Sequence, residues 1–258
     1  MIRILAALAA AFLFVPSAAQ AQQPSRLDEI VKRGTLRVGM TGDYLPFSYL
    51  DRATQQFRGF DVDMAEALGK ALGVKVQYVQ TAWPQLMQDF EADHFDIAMG
   101  GISITPDREK KGLFSTPIMH EGKTPIARCA DKDKYDTIAE IDRPGTRVIV
   151  NPGGTNERFA RANLKTAEIK TWNDNVTIFD EIAKGSADLM MTDASETRYQ
   201  QKLHPGVLCA VHPDKPFDSA EKAYWLQRDA ALKAFVDQWL RTAGEDGSTR
   251  NIYAAWFE

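Results

Sequence analysis

Short apolar segments with strand periodicity alternate with amphipathic helical segments along most of the chain. Residues 36–40 alternate apolar and polar positions as in a strand, whereas Met64, Leu68 and Leu72 recur at helical spacing. The same criteria predict strands over 74–78, 95–99, 147–150 and 188–191, and helices over 26–33, 84–92, 156–164, 176–184 and 229–240. Because strands that alternate with helices form parallel sheets, the pattern predicts an α/β fold with mostly parallel sheets.

This order of elements occurs twice. The apolar strands at 96–99 and 188–191 both begin with aspartate and take equivalent places in the two halves, so two similar α/β lobes are expected. Open parallel sheets bind ligands beyond the carboxyl ends of their strands, and in two facing lobes those ends would meet in one cleft. The predicted ends lie at 41–44, 81–83, 100–105, 151–155 and 192–196.

The first residues predict export. Met1 to Arg3 give a basic start, an apolar run covers 4–15, and Ala19-Gln20-Ala21 forms a small-x-small site, as is typical of a secretory signal peptide over 1–21. A membrane anchor is the alternative, but the run is shorter than the ~20 apolar residues of a spanning helix. We therefore expect a periplasmic protein with no membrane contact once the signal peptide is removed.

Charge and cysteine content narrow the range of partners. The formal net charge of −4 gives no electrostatic footprint for a polyanion, so no nucleic-acid partner is expected. Cys129 and Cys209 are the two cysteines, and in an oxidising compartment a disulfide between them is favoured over two buried thiols. The four histidines show no ligand spacing with cysteine or carboxylate, so no metal site is predicted.

Several motifs resemble those of the family-3 extracellular solute-binding proteins, which are periplasmic receptors for polar amino acids. The motifs lie at 43–47, at 59–63, at 101–105 followed by Arg108, and at 253–257. The resemblance runs from about Ser25 to Phe257. It implies two α/β lobes on a two-strand hinge that close around a ligand, with 22–121 plus 218–258 as the first lobe and 122–217 as the second.

The same resemblance implies a site for an amino acid. Gly101, Ser103 and Arg108, together with Thr155, take the positions that clamp an α-carboxylate, and Asp193 takes the position that holds the α-amine. The residue chemistry agrees, because Arg108 offers a planar fork that matches a carboxylate. Thr155 follows a glycine-rich turn at a predicted helix N-terminus, where free backbone N–H groups favour anions.

A narrower resemblance points to an enzyme. The segments 151–157, 159–164, 174–179, 187–193 and 221–224 resemble the cyclohexadienyl dehydratases, which are exported enzymes with this fold. The resemblance implies conversion of prephenate to phenylpyruvate, and of arogenate to phenylalanine, with loss of water and carbon dioxide. Aromatisation drives such a reaction, so no cofactor is expected. The implied partner is a small molecule with two carboxylates, and the sequence leaves open whether the protein is a homo-oligomer.

The implied reaction needs a general acid for the departing hydroxyl, and the resemblance places this acid at Glu196. Glu196 falls in the first turn of a predicted helix, which favours its ionised form. Burial, the neighbouring Asp193 and an anionic substrate would all raise its pKa. We expect these effects to prevail, so that Glu196 holds a proton.

Other side chains are expected to complete the catalytic site. Asn151 can hydrogen-bond the ring hydroxyl or the ring carboxylate, and Lys123 and Lys222 can pair with an anion in the cleft. Asp43 can orient the acid or a water molecule, and Trp83 can cover the flat face of the ring. Each of these residues, taken singly, is more common as a turn, surface or core residue, so their roles rest on the resemblance.

Two other functions are compatible with the same fold. A receptor that delivers an amino acid to an ABC transporter explains the signal peptide and the carboxylate clamp equally well. It does not explain Glu196, Asn151 and Lys123 together. An adaptor with a collapsed cleft is opposed by the intact Arg108 and Thr155. A receptor returns its ligand unchanged, which separates it from an enzyme.

Overall fold

The computed structural model describes residues 24–258, so the signal peptide predicted at 1–21 lies outside the described residues. Within this range, no helix combines the length and the hydropathy that crossing a bilayer requires. The helices are α1 (Arg26–Arg33), α2 (Phe60–Leu72), α3 (Leu86–Glu91), α4 (Pro106–Glu109), α5 (Ile138–Ile141), α6 (Thr155–Asn163), α7 (Ile178–Ala183), α8 (Ala194–Leu203), α9 (Ala230–Glu245) and α10 (Ser248–Phe257).

The strands form two five-stranded sheets, a two-stranded ribbon and a small three-stranded sheet. They are β1 (Thr35–Met40), β2 (Asp43–Tyr44), β3 (Ser48–Leu50), β4 (Phe57–Arg58), β5 (Lys75–Gln80), β6 (Ile97–Ala98), β7 (Leu113–Phe114), β8 (Met119–Glu121), β9 (Lys123–Arg128), β10 (Arg147–Val150), β11 (Glu168–Thr171), β12 (Leu189–Asp193), β13 (Leu208–Ala210), β14 (Ala220–Lys222) and β15 (Trp225–Leu226).

The first lobe is built on the sheet β5-β1-β6-β15-β7. Strand β1 pairs in parallel with β5 and β6, whereas β15 pairs antiparallel with β6 and β7. Ile30 of α1, Leu68 of α2 and Leu232 of α9 are fully buried together with Leu36 of β1 in one apolar cluster. Helix α9 therefore belongs to the core of this lobe, and α10 packs against that core through partly buried side chains.

The second lobe repeats this plan with the sheet β11-β10-β12-β9-β13. Strand β10 pairs in parallel with β11 and β12, and β9 pairs antiparallel with β12 and β13. Val148 and Leu189 are fully buried in its core. Cys129, directly after β9, forms a disulfide with Cys209 of β13, with an S–S distance of 2.09 Å.

The two α/β lobes with mostly parallel sheets are confirmed, since four of the five strands in each sheet run in the same direction. In each sheet one strand, β9 or β15, runs against its neighbours, and it follows directly after a ribbon strand, β8 or β14. The ribbon joins the lobes at the cleft, where the parallel strands end, so the incoming strand has to run away from the cleft. Lys123, the first residue of β9, accordingly pairs with Asp193, the last residue of β12.

The ribbon of β8 and β14 is the hinge between the lobes. Its strands are antiparallel, with Ala220 opposite Glu121 and Lys222 opposite Met119. Both hinge strands thus bring a charged residue to the cleft side of the molecule. The lobe boundaries predicted at 121–122 and 217–218 stay a prediction.

Candidate active site

Strand β12 and helix α8 form the centre of the candidate site. All five residues of β12 are buried, and the chain passes from Asp193 directly into α8. Glu196 consequently lies in the first turn of a helix that begins at the carboxyl end of a strand, where ligands of open α/β sheets bind. Asp193 is 2% exposed and Glu196 is 0% exposed, so both carboxyls face the protein interior.

The Glu196 carboxyl is shielded from bulk water and has a single side-chain hydrogen bond within residues 24–258. Its Oε2 accepts a hydrogen bond from the Thr192 hydroxyl at 2.5 Å, and its buried Oε1 has no hydrogen-bond partner within residues 24–258. Burial raises the pKa of Glu196 well above its usual value. The charges of Asp193 and Asp43 add to this shift, while the Thr192 hydrogen bond and the charge of Lys123 oppose it. These surroundings therefore favour the protonated form of Glu196.

Asp193 has the opposite surroundings, although it lies only three residues away. Lys123 Nζ donates to Oδ1 at 2.7 Å, Lys222 Nζ donates to Oδ2 at 2.8 Å, and the Tyr44 hydroxyl also donates to Oδ2. Burial alone would raise the pKa of Asp193, but the two ammonium groups hold it well below its usual range. Asp193 is therefore an ionised carboxylate with three donors.

The two lysines are buried and differ in their other partners. Lys123 Nζ also donates to the Thr155 hydroxyl at 2.9 Å and to Asn156 Oδ1 at 2.5 Å. Asn156 Nδ2 in turn donates to Asn151 Oδ1 at 3.3 Å, which links Asn151 to the cationic group. Burial opposes the charge of Lys222, but the carboxylates of Asp193 and Glu121 raise its pKa. Lys222 is thus present as a cation.

Lys222 also reaches the first lobe. Its Nζ donates to the carbonyl oxygen of Gly101 at 3.1 Å and lies 5.1 Å from the centroid of the Tyr44 ring. Gly101 is held from the other side, because its N–H donates to the buried Asp61 carboxylate at 2.6 Å. Burial raises the pKa of Asp61 to about 6. The turn at Gly101 is therefore fixed between a buried acid and the cleft.

Arg108 is the buried cation of the first lobe. Its side chain is inside the protein, and NH1 donates to the carbonyl oxygen of Ser103 at 2.7 Å. Burial lowers the pKa of Arg108 to about 10, the charge of Arg158 adds to this, and Asp193 opposes it. Within residues 24–258, Arg108 forms no ion pair. A buried guanidinium with unused donors is suited to a carboxylate ligand.

Trp83 and Tyr44 supply the aromatic wall of the site. Trp83 Nε1 donates to Asp43 Oδ1 at 3.0 Å, and its ring meets the Tyr44 ring edge-on at a centroid distance of 5.6 Å. Burial raises the pKa of Asp43, against the hydrogen bond from Trp83. Asp43 therefore fixes the orientation of Trp83 while its charge acts on Glu196.

The structure brings the predicted residues of both lobes to one cavity. Five of the predicted residues do not line this cavity. Four of them hydrogen-bond to residues that do line it: Arg108, Lys123, Lys222 and Asp43. The fifth, Glu196, hydrogen-bonds to Thr192, which adjoins the lining residue Asp193. The lining residues are Tyr44, Trp83, Gly101, Ser103, Asn151, Gly154, Thr155, Asn156, Asn175 and Asp193. A larger groove of about 880 Å³ on the first lobe contains none of the predicted site residues.

The lobes are closed on each other. The cavity has a volume of about 10 Å³, which admits about one water molecule. Contacts across the cleft include the donation from Asn175 Nδ2 to the Asp43 carbonyl at 3.0 Å and the ion pair of Arg52 with Asp174 at 2.7 Å. Any ligand larger than water therefore requires the lobes to separate before it can bind.

The sequence interpretation missed Tyr44, Asn156 and Glu121. Tyr44 and Asn156 lie inside motifs that carry the family resemblance, so their neighbours gave a usable signal. Glu121 gave no such signal, because its side chain meets Lys222 and the start of α8 only in the folded chain. The strand ends thus predict where the site lies, but contacts between distant segments decide which other residues belong to it.

Comparison with known proteins identifies relatives with this architecture. Residues 36–258 match the bacterial extracellular solute-binding proteins, family 3. The chain is 54% identical over 254 residues to the cyclohexadienyl dehydratase of Pseudomonas aeruginosa, a match that covers 98% of this chain and 93% of that protein. It is 26% identical over 233 residues to the L-cystine-binding protein TcyJ of Escherichia coli, with 90% and 85% of the two chains covered.

A solved structure agrees with this relationship. The ancestral amino acid-binding protein AncCDT-1, a precursor of cyclohexadienyl dehydratase, matches with a TM-score of 0.84 and 38% sequence identity, over 91% of this chain and 100% of that chain. The two resemblances that the sequence motifs predict are thereby confirmed. The chain belongs to the bacterial extracellular solute-binding proteins of family 3.

Proposed function

We propose that this member of the family is an exported cyclohexadienyl dehydratase, which converts prephenate to phenylpyruvate and arogenate to phenylalanine. The 54% identity over nearly the whole chain to an enzyme of that name supports the activity. The chemistry rests on one observation, which is that Glu196 is fully buried and has a raised pKa next to a buried cationic group. Such a carboxyl can act as a general acid.

The proposed reaction consumes one proton for each molecule of prephenate. Glu196 gives its proton to the ring hydroxyl of prephenate, and the carbon–oxygen bond breaks to release water. The bond between the ring and its carboxylate breaks as well, carbon dioxide leaves, and the electron pair of that bond enters the ring, which becomes aromatic. Prephenate, a dianion, becomes the phenylpyruvate anion. Each turnover therefore takes up one proton, which solvent must return to Glu196.

Both lobes contribute to substrate binding in this proposal. Arg108 uses its free donors for the side-chain carboxylate of the substrate, with Thr155 as a second donor from the other lobe. Gly101 and Ser103 form the turn beside this clamp.

Other residues act on the ring of the substrate. Lys123 and Asn151 bind the ring carboxylate or hydroxyl, and Lys222 supplies a second positive charge. Trp83 covers the face of the ring, while Asp43 holds Trp83 in place and adds to the raised pKa of Glu196.

The surroundings of Asp193 favour prephenate over arogenate as substrate. The family resemblance assigns this residue to an α-amine, but here its carboxylate already receives Lys123, Lys222 and Tyr44. An ammonium group would have to displace a lysine to reach it. Prephenate carries a keto group at that place and needs no such exchange.

Export and lobe movement belong to the same proposal. The predicted signal peptide and the extracellular family support a periplasmic location. The lobes, proposed as 22–121 plus 218–258 and 122–217, open to admit the substrate and close over it. Closure removes water from the reacting ring, which strengthens every electrostatic contact in the site. Nothing in this proposal depends on the oligomeric state.

A receptor for an amino acid is the second candidate. The fold and the similarity to TcyJ favour it. The occupied carboxylate of Asp193 opposes it, because a receptor of this family needs that group for the amine of its ligand. The protonated Glu196 also has no use in a receptor that leaves its ligand unchanged.

The decisive experiment follows both carbon products. Purified protein is mixed with prephenate, and phenylpyruvate and carbon dioxide are recorded. An enzyme produces the two in equal amounts, whereas recovery of unchanged prephenate would support the receptor. We expect Glu196→Gln to lower kcat by about 10²- to 10⁴-fold while prephenate binding persists. Glu29→Gln, in the first turn of α1 with a half-exposed side chain, is the matched control.

A further inference from the structure

Helix α8, which carries Glu196, begins without a cap from its own N-cap residue. Asp193 occupies the N-cap position, but its side chain makes no capping hydrogen bond. The first N–H groups of a helix have no partner within the helix and need an acceptor elsewhere. Here the end of hinge strand β8 and the residue after it supply the acceptors, because Ala194 N–H donates to the Gly122 carbonyl at 3.0 Å and Ser195 N–H donates to Glu121 Oε2 at 2.8 Å.

Glu121 is a buried side chain with two partners in the site. Its side chain is 5% exposed, and its Oε1 lies 3.2 Å from Lys222 Nζ on the other hinge strand. Lys222 in turn contacts Asp193 at 2.8 Å. One hinge carboxyl thus touches both the start of the helix that carries Glu196 and a cation that keeps Asp193 ionised.

We propose that Glu121 is a positioning residue that caps helix α8 in place of Asp193. This exchange frees the Asp193 carboxylate to face the cleft and fixes the backbone at Ser195, the residue directly before Glu196. The inference rests on the proposed function, since it assigns the position of Glu196 to the hinge. It also explains why Asp193, a residue type that favours the N-cap position, does not cap its own helix.

The effect on catalysis follows from geometry. Glu196 transfers its proton within a closed cleft, and a misplacement of about 1 Å costs about 10²-fold in rate. Loss of the Glu121 bond leaves the buried Ser195 N–H without an acceptor, so the first turn of α8 has to shift or open. Because Glu121 is not among the lining residues of the cavity, this change acts on kcat rather than on the affinity for substrate.

Three variants test the proposal through steady-state kinetics with prephenate. Glu121→Ala removes the cap and is expected to lower kcat by about tenfold or more, with KM within about threefold of the wild type. Glu121→Gln keeps an oxygen that accepts from Ser195 N–H and is expected to restore most of kcat. Glu221→Ala is the matched control, because Glu221 lies on the other hinge strand, is 41% exposed and pairs with the exposed His120. It should match the wild type.

Amide hydrogen exchange gives a readout that does not depend on turnover. The Ser195 amide is expected to exchange faster in Glu121→Ala than in the wild type, Glu121→Gln or Glu221→Ala. Wild-type kcat in Glu121→Ala, equal losses in the Ala and Gln variants, or unchanged exchange at Ser195 would each overturn the proposal. A wild-type protein without activity on prephenate would instead contradict the proposed function, and the exchange experiment would still decide on the cap.

Discussion

The two ends of strand β12 carry aspartates in different chemical settings. Just before the strand, Asp188 accepts from the backbone N–H of Arg147 at 2.8 Å and from its guanidinium at 2.6 Å, with Arg128 at 3.3 Å. At the carboxyl end, Asp193 meets two lysines and a tyrosine. Arginine forks hold a carboxylate rigidly, whereas lysines are compact charges on flexible stems. The aspartate at the amino end of β12 is thus held in a fixed position and supports the sheet. The aspartate at the carboxyl end can change partners when a substrate binds.

The first lobe repeats the support but not the site. Asp96 precedes β6 as Asp188 precedes β12, and it accepts from the backbone and the guanidinium of Arg37 at 2.8 and 2.9 Å. The residue five positions after Asp96 is Gly101, whereas the residue five positions after Asp188 is Asp193. The two lobes are therefore alike where the sheets are held together and different where the substrate is handled.

The largest expected effect is the difference between substitutions of the aspartates at the two ends of β12. Asp193→Asn removes the carboxylate that two buried lysines share and leaves Lys123 without a counter-charge, so we expect kcat to fall about 10²-fold and the free energy of unfolding to fall by about 3 to 5 kcal/mol. Asp188→Asn should lower the free energy of unfolding by about 2 kcal/mol and leave kcat unchanged. Urea unfolding and kinetics on the folded protein measure both. A loss of kcat in Asp188→Asn would contradict the division between support and site.

The disulfide tests the supporting end independently. Cys129 follows Arg128 at the amino edge of the second sheet, and its bond to Cys209 joins residues 80 positions apart. A cross-link over a loop of this length restricts the unfolded chain and stabilises the fold by about 4 kcal/mol. The double substitution Cys129→Ser with Cys209→Ser should lower the free energy of unfolding by this amount, with kcat unchanged at 25 °C. A fall in kcat before any unfolding would show that the supporting end also controls the site.

The pH dependence of stability tests the catalytic end. The folded protein keeps the Glu196 proton at pH values where the unfolded chain, with a pKa near 4.5, has released it. Stability therefore falls as pH rises from about 4.5 towards the raised pKa, by roughly 1 kcal/mol per pH unit. Glu196→Gln removes this penalty and should be more stable than the wild type at pH 7, and equal to it below pH 4. An equal stability at both pH values would mean that Glu196 is ionised in the folded state.

Local sequence patterns predicted the elements and the strand ends, because periodicity and capping act over a few residues. Ser25 and Asp28 form a reciprocal capping box at α1, which residue spacing alone suffices to predict. The direction of β9 and β15 was not predictable in this way, because it depends on where the hinge delivers the chain. Sheet pairing thus needed a long-range contact that no local pattern contains.

The same distinction between local patterns and long-range contacts applies to the residues of the candidate site. A strand end and a glycine-rich turn placed Asn151 and Thr155 near the cleft, and the resemblance supplied their roles. In contrast, Tyr44 bonds to Asp193 across 149 residues of chain, and Glu121 bonds to the α8 backbone across 74. The role of a residue that meets its partner only after folding leaves no trace in the spacing of its neighbours. A resemblance to a family can supply such a residue, but periodicity cannot.

The smallest effect concerns substrate choice at the Asp193 end. Arogenate carries an ammonium group that would meet Lys123 and Lys222 unless one lysine leaves Asp193, so we expect kcat/KM for prephenate to exceed that for arogenate by about tenfold, or about 1.4 kcal/mol. Lys222→Met removes one of the two lysines that neutralise Asp193 and should narrow this ratio, even though turnover of both substrates falls. Lys184→Met, an exposed lysine of the second lobe, should leave the ratio unchanged. A ratio that stays at the wild-type value in Lys222→Met would show that the charge of Asp193 is available to a ligand amine, as in a receptor.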